Sequence, residues 1–269
     1  MDLKKNLITL TTDFGNRDYF SGAMKGVILG INGEARFVDI SHDVPSHDIW
    51  AGAYLFGSVY SYFPQYTVHM VIVDPGVGGP RRPIIAVTDK HYFLAPDNGV
   101  LSFVFNDPGF SRVIHMTAEH YQLKTKGSTF HARDIFSPAA AWLSKGVEVE
   151  KFGEEITDYL RFSIPVAKQE APNVFSGEVV YSDKFGNCIT NIAFEDVCSF
   201  MESTGQKSYI IKTKEIEIKV LSPFYASEKR GETGAVVNGN GFIEIFINQG
   251  DARKTLGFKR GEKVQLIFG

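Results

Sequence analysis

Residues 71–83, VIVDPGVGGPRRP, hold the strand end from which the first half of this chain is understood. The apolar, β-branched run Val71–Val73 is what a buried strand needs. It stops at Asp74, and a Pro/Gly-rich turn follows that ends in Arg81 and Arg82. Open α/β sheets gather ligands outside the carboxyl ends of their strands. An acid and a basic turn therefore stand where chemistry is usually done.

Working outward, strand and helix patterns alternate. Strands are expected over 7–12, 36–40, 68–73 and 112–116, and a hairpin over 84–88 and 91–94 that turns at Asp89-Lys90. Helical spacing covers 19–31, 48–62, 99–105 and 132–144. The alternation predicts an α/β N-terminal domain, residues 1–165, with a mainly parallel central sheet. Pro165 and Pro172, with polar residues between them, mark a linker over about 162–174. Beyond it, short stretches of period-two apolar alternation separated by Gly-rich turns predict an all-β, barrel-like C-terminal domain over 172–269.

The bulk numbers exclude several classes. A hydrophobic share of 43% over 269 residues is enough for ordinary packed cores. The formal net charge of -3 gives no electrostatic case for nucleic acid or membrane partners. Two cysteines, Cys188 and Cys198, are too few for a disulfide framework or a zinc site. The N-terminus lacks a signal-peptide core, and no apolar run is long enough for a bilayer, so a cytoplasmic protein is expected. The 22 phenylalanines suit aromatic-lined pockets.

Four clusters carry candidate chemistry. Asp13 closes the first strand just before Gly15, and its carboxylate suits either a ribose diol or a helix cap. The absence of GxGxxG argues against a dinucleotide site. Asp74 with Arg81 is either a functional pair or a turn Asp beside a surface Arg. His131 precedes an Ala-rich helix, where it serves chemistry or merely packs. Asp183, Phe185 and Asn187 lie in a segment that also reads as an ordinary hairpin turn. His42 and His47, with Asp43 and Asp48, have no metal-site spacing, because Pro45 breaks any helix between them, and no metal is expected.

Seven segments, taken in order, resemble one family: TTDFG, VDISHDVPSHDI, VIVDPGVGG-x-R, APDNGVLS, TFHARDIFSPAAA, DKFGNCITNI and GFIEIFINQGDA. They are similar to the S-adenosyl-L-methionine hydroxide adenosyltransferases (S-adenosyl-L-methionine hydrolases), relatives of the adenosyl fluorinases and chlorinases. The resemblance runs nearly end to end. It implies a homotrimer whose sites lie between the N-terminal domain of one subunit and the C-terminal domain of the next. It implies a catalytic set of Asp74, Arg81 and His131, and Asp13 on the ribose. Phe14, His47 and Asp74 join the implied substrate-binding set, as do Asp183, Phe185 and Asn187. Glu244, Ile247 and Asn248 match positions near the methionine end and the adenine. Gly239 stands where many members have a ligand-touching Ser, and Ala132 replaces a more usual Gly.

The reaction so implied is S-adenosyl-L-methionine plus water giving adenosine and L-methionine, with no cofactor. Water attacks ribose C5′ in line with a departing neutral thioether, which needs no general acid. Either sulfonium diastereomer, the (R) form included, remains open. Two rivals are a nucleoside-binding protein without useful turnover and an adenosyl halide synthase. The halogenases lack the acid at the position of Asp74, and a carboxylate there repels a halide. A nicotinamide-dependent oxidoreductase is disfavoured by the missing glycine fingerprint.

Overall fold

A computed structural model describes residues 6–124 and 127–269. The chain divides into two compact units, one up to Ser163 and one spanning Ile164–Gly269.

In the first unit, β1 (Leu7–Thr12) leads through α1 (Phe20–Ile31) to β2 (Arg36–Ser41). The helix α2 (Ile49–Gly57), capped by the Asp48 side chain on Ala51 N, then leads to β3 (Val68–Ile72). β4 (Pro83–Thr88), β5 (Tyr92–Pro96), β6 (Phe110–Met116), α3 (Ser137–Ser144) and β7 (Gly153–Ile156) follow. The sheet order is β2-β1-β3-β5-β4-β6-β7.

Alternation along the strands sorts the two faces. Ile8, Leu10, Val68, Met70 and Ile72 enter the core with Met24 and Ile28 of α1 and Ala139–Ala141 of α3. On the opposite face His69 meets Phe56 of α2, and Phe93 stacks on His69. Helices thus cover both faces. The strand β1 has β2 on one side and β3 on the other, so the chain changes direction around it. Thr12 pairs with Ile72, which brings the carboxyl ends of β1 and β3 out side by side. That is the switch point at which such sheets bind ligands.

The sheet is not mainly parallel. β2, β1, β3 and β5 are parallel neighbours, whereas β5, β4, β6 and β7 pair antiparallel. The cause is the hairpin at Asp89-Lys90, which turns the chain back and inserts β5 between β3 and β4. The loop 74–82 therefore crosses over the end of β5. The helix expected over 99–105 is a series of turns with a short 3-10 piece at Val104–Asn106. β7 escaped the sequence reading.

The second unit is antiparallel: β8 (Lys168–Ala171), β9 (Val174–Ser182), β10 (Cys188–Ala193), β11 (Tyr209–Thr213), β12 (Ile216–Ile218), β13 (Thr233–Val237), β14 (Phe242–Ile247) and β15 (Lys263–Phe268). Their order is β12-β11-β15-β9-β10-β14-β13, with β8 also on β9. β9 is shared: Val174–Glu178 pairs with β15, and Val179–Ser182 with β10. The outer strands β12 and β13 approach each other, which gives a nearly closed barrel-like sheet. Two α-helices accompany these strands. Helix α4 (Phe194–Thr204) buries Val197 and Phe200, carries Glu195 and Asp196 in its first turn, and ends at left-handed Gly205. A short helix, α5 (Ala252–Thr255), is capped by Asp251. β8 occupies part of the stretch expected to be linker. Among the described residues no helix is long and apolar enough to cross a membrane.

Candidate active site

Asp74 follows the end of β3, and its side chain is 5% exposed. Its loop folds back through Val77 N on Asp74 O (3.2 Å) and Gly79 N on Gly76 O (3.0 Å). Gly78 sits at φ +79°, and a Cβ there would stand 2.7 Å from Ser128 O. Only glycine lets this loop lie so close to the segment before His131.

The fold brings Asp74, Arg81 and His131 together. Arg81 Nε donates to both oxygens of Asp74, at 3.0 and 2.9 Å, and Arg81 Nη2 donates to Asp74 Oδ2. The same Nη2 lies 2.8 Å from His131 Nδ1. A guanidinium only donates, so Nδ1 is the acceptor and the imidazole proton resides on Nε2. Burial and then the Arg81 charge push the His131 pKa below its ordinary value, so the ring is neutral at pH 7. The Arg81 side chain is 9% exposed, with its guanidinium 5.8 Å from the Phe136 ring, so its charge is not on the surface. Arg82, its neighbour, turns away to Asp97 and Asp158.

The segment that begins at His131 has a feature that periodicity does not reveal. The expected helix 132–144 begins as a π-helical turn, Ala132–Phe136, before α3. π turns insert an extra residue, often at functional sites. His131 stands at the start of this turn, where its ring meets Arg81, and Phe136 at its end packs beneath the same guanidinium.

Asp74 and His131 form the polar wall of a recess of roughly 150 Å³. The rest is largely apolar: Phe14, Phe20, Ile72, Val77, Phe130 and Ala132, with Thr129. Arg81 is not among its lining residues; it stands behind the two groups that are. Phe20 and Phe130 meet edge to face at 5.3 Å, and Phe14 joins them. Phe20 was missed as a site residue because its spacing reads as an ordinary helix start.

Asp13 does not cap α1, whose first turn has no side-chain cap. Its Oδ2 accepts from His47 N at 2.8 Å. His47 holds φ +66°, a left-handed conformation that costs a non-glycine residue on the order of 1 kcal/mol or more. The His47 backbone, rather than its ring, is what reaches Asp13.

The second unit has its own pocket, of about 450 Å³, lined by Asp183, Phe185, Asn187, Tyr225, Ile247 and Asn248 among others. Asp183 closes the β9–β10 hairpin: Oδ1 accepts from Phe185 N and Asn187 N, both at 2.9 Å, and Oδ2 from Asn187 Nδ2 at 3.1 Å. These local bonds leave Phe185 75% exposed. Gly186 sits at φ +87° against Asp251, 2.2 Å from where a Cβ would be. Glu244 is 4% exposed and does not line the pocket. It accepts from Tyr225 OH (2.8 Å) and Asn238 Nδ2 (3.3 Å). Burial raises its pKa, the two donors oppose that, and Asp183 adds to the rise. Tyr225, which covers it, escaped the sequence reading; only its fold neighbour Glu244 marks it. Gly239 is exposed, with open space around it. Among the described residues no three His, Cys, Asp or Glu side chains group as a metal ion would need.

Comparison with known proteins places these features in a family context. Residues 8–153 match the family model described as SAM hydroxide adenosyltransferase N-terminal domain, and residues 177–265 match the corresponding C-terminal domain. The chain is 32% identical to a Methanocaldococcus jannaschii protein named (R)-S-adenosyl-L-methionine hydrolase, over 98% of this chain and 96% of that one. A Thermus thermophilus protein of the same name is 30% identical, over 95% and 97%. A protein of Actinopolyspora mzabensis named fluorinase is 24% identical, over 97% and 96%. Among solved structures, an uncharacterized conserved protein from Thermotoga maritima superposes with a TM-score of 0.86 at 31% identity, covering 97% of this chain and 99% of its own.

Proposed function

The chain belongs to the SAM hydroxide adenosyltransferase family, and we propose on that footing that it hydrolyses S-adenosyl-L-methionine to adenosine and L-methionine. The names of its relatives favour the (R)-sulfonium diastereomer as the substrate. The observation that carries the chemistry is the recess wall, where the Asp74 carboxylate and the His131 imidazole face one small cavity, both held by Arg81.

Water enters with two hydrogen-bond partners of opposite kind. His131 donates through Nε2, because Arg81 occupies its Nδ1. Asp74 accepts a water proton and directs a lone pair of the oxygen at C5′. As the C–O bond forms and the C–S bond breaks, the electron pair leaves with a neutral thioether. The water proton passes first towards Asp74. Arg81 acts through the other two: it orients the carboxylate and fixes the imidazole tautomer. Its fixed charge also offsets the negative charge that develops on the oxygen, in apolar surroundings that screen little. Holding the water in line contributes further, since well-oriented reactants reach effective molarities of about 10⁵ M and above. The same Asp74 charge disfavours a halide nucleophile.

A recess of roughly 150 Å³ is small for the whole substrate, as ligand pockets commonly run about 300–1,000 Å³. The family resemblance adds a homotrimer to the proposal, with second-unit groups Asp183, Phe185, Asn187, Ile247 and Asn248 of a neighbouring subunit completing each site. A cytoplasmic location and the lack of a cofactor go with it. The test is to incubate the protein with each diastereomer in oxygen-18 water, with and without chloride. Label in the adenosine 5′-hydroxyl is expected; unlabelled adenosine, or a 5′-chloro product, refutes hydrolysis. Light scattering should give three times 29.9 kDa.

A further inference from the structure

His42 has no part in the reaction above, yet it is only 3% exposed and lies beside the loop that carries Asp13 and Phe14. The sheet register brings it there. Pairing between β1 and β2 slips after Leu10, so that Thr11 stands opposite Ser41 and Thr12 comes beside His42. The Thr12 hydroxyl is 2.8 Å from His42 Nδ1 and also accepts from Phe14 N at 3.3 Å. A carboxylate only accepts, so the His42 nitrogen that faces Asp39 carries the ring proton. His42 Nδ1 is then the acceptor, and its Nε2–H faces Asp39 Oδ1 at 3.3 Å, without the alignment of a full hydrogen bond. Asp39 Oδ2 in turn accepts from Lys25 Nζ of α1 at 2.5 Å. The backbone makes a parallel grip. Gly15 N donates to His42 O at 2.7 Å, and Val44 N to Thr12 O at 3.3 Å.

Asp13 and Phe14 are thus fastened on both sides, at Thr12 and at Gly15, by one residue. We propose that His42 is a positioning residue for the nucleoside-binding loop, acting through the series Lys25–Asp39–His42–Thr12 to hold Asp13 and Phe14 in the shape that receives the ribose. This rests on Asp13 and Phe14 contacting the nucleoside, as the proposed function has them.

Three variants test it: Thr12→Val, which keeps volume and removes the hydroxyl; His42→Phe, which keeps a ring and removes both nitrogens; and His42→Asn, which can still present an acceptor to Thr12. Adenosine affinity is measured by titration calorimetry, KM and kcat with S-adenosyl-L-methionine, and folding by thermal melting. Thr12→Val and His42→Phe should each raise the adenosine Kd and KM about tenfold, the scale of one lost buried hydrogen bond, with kcat within about twofold. His42→Asn should recover most of the affinity. The double variant should be no weaker than His42→Phe alone, because both changes break one series. Folded His42→Phe with wild-type Kd and KM, or losses that add, overturns the inference. If the wild type binds adenosine but releases no methionine, hydrolysis fails and the adenosine titrations still decide the role of His42. If the wild type binds no adenosine, the nucleoside assignment falls and this inference with it.

Discussion

The recess of the first unit and the pocket of the second solve the same problem, how to hold a carboxylate on a cavity wall, in opposite ways. Asp74 is held by Arg81, a charged donor, and the pair is joined to a histidine fifty positions away in sequence. Asp183 is held by two backbone amides and the Asn187 side chain, all within four residues. A charge-assisted pair fixes geometry and supplies compensating charge. A turn held by neutral donors fixes geometry alone and leaves the carboxylate its negative charge. The first arrangement suits a reacting centre, and the second suits recognition of a ligand group.

That contrast can be broken by experiment. Arg81→Ala should lower kcat by about 10²-fold or more, the scale of a lost oxyanion donor, with less effect on KM. Unchanged turnover would remove Arg81 from the mechanism. Acid should mimic this loss. His131 is pushed below its ordinary pKa, so kcat should be flat from pH 8 to about 6.5 and then fall up to tenfold per unit beneath the depressed value. The reason is that a protonated Nδ1 would meet the Arg81 donor. A pH profile with no acid limb above the unfolding range would contradict the assigned tautomer. In the second unit Asp183→Ala should instead weaken adenosine or substrate binding by about tenfold while kcat changes less. A pure kcat defect there would erase the distinction between the two regions. The smallest expected effect is that of Tyr225→Phe, which removes one donor from buried Glu244 and should cost about 1 kcal/mol in denaturant unfolding.

Stability should carry its own acid signature, from the face of the first sheet away from α1 and α3. Burial lowers the pKa of His69 well below 6.5 and lowers that of His91. Below pH 6.5 the unfolded chain binds protons that these native rings refuse. Stability should therefore fall as pH falls, by up to about 1.4 kcal/mol per unit for each ring until its native pKa is reached. His69→Phe should flatten the slope.

What could be read in advance followed the range of the interactions. The end of β3 at Asp74 was legible because a β-branched run stopped by Asp-Pro-Gly is a local signal. The Asp183 turn was legible for the same reason. Helix α4 was not: two buried residues three apart, Val197 and Phe200, are a faint stripe among strands of period two. β7 was too short and polar to register. The parallel half of the first sheet followed from alternation, but its antiparallel half depended on which neighbour the Asp89-Lys90 hairpin joined. Tyr225 had no signal of its own, since its role comes from Glu244 nineteen positions on.

The sequence by itself determined the alternation of elements, the turns at Asp74 and Asp183, and which residue types were available for chemistry. These depend on backbone propensity and on neighbours a few residues apart. Only the tertiary structure decided that Arg81 stands behind the recess rather than on its wall, that one Arg81 nitrogen joins Asp74 to His131, and that β5 separates β3 from β4. Each of those depends on strand order and side-chain packing between segments far apart in the chain, where no local preference of the residues acts.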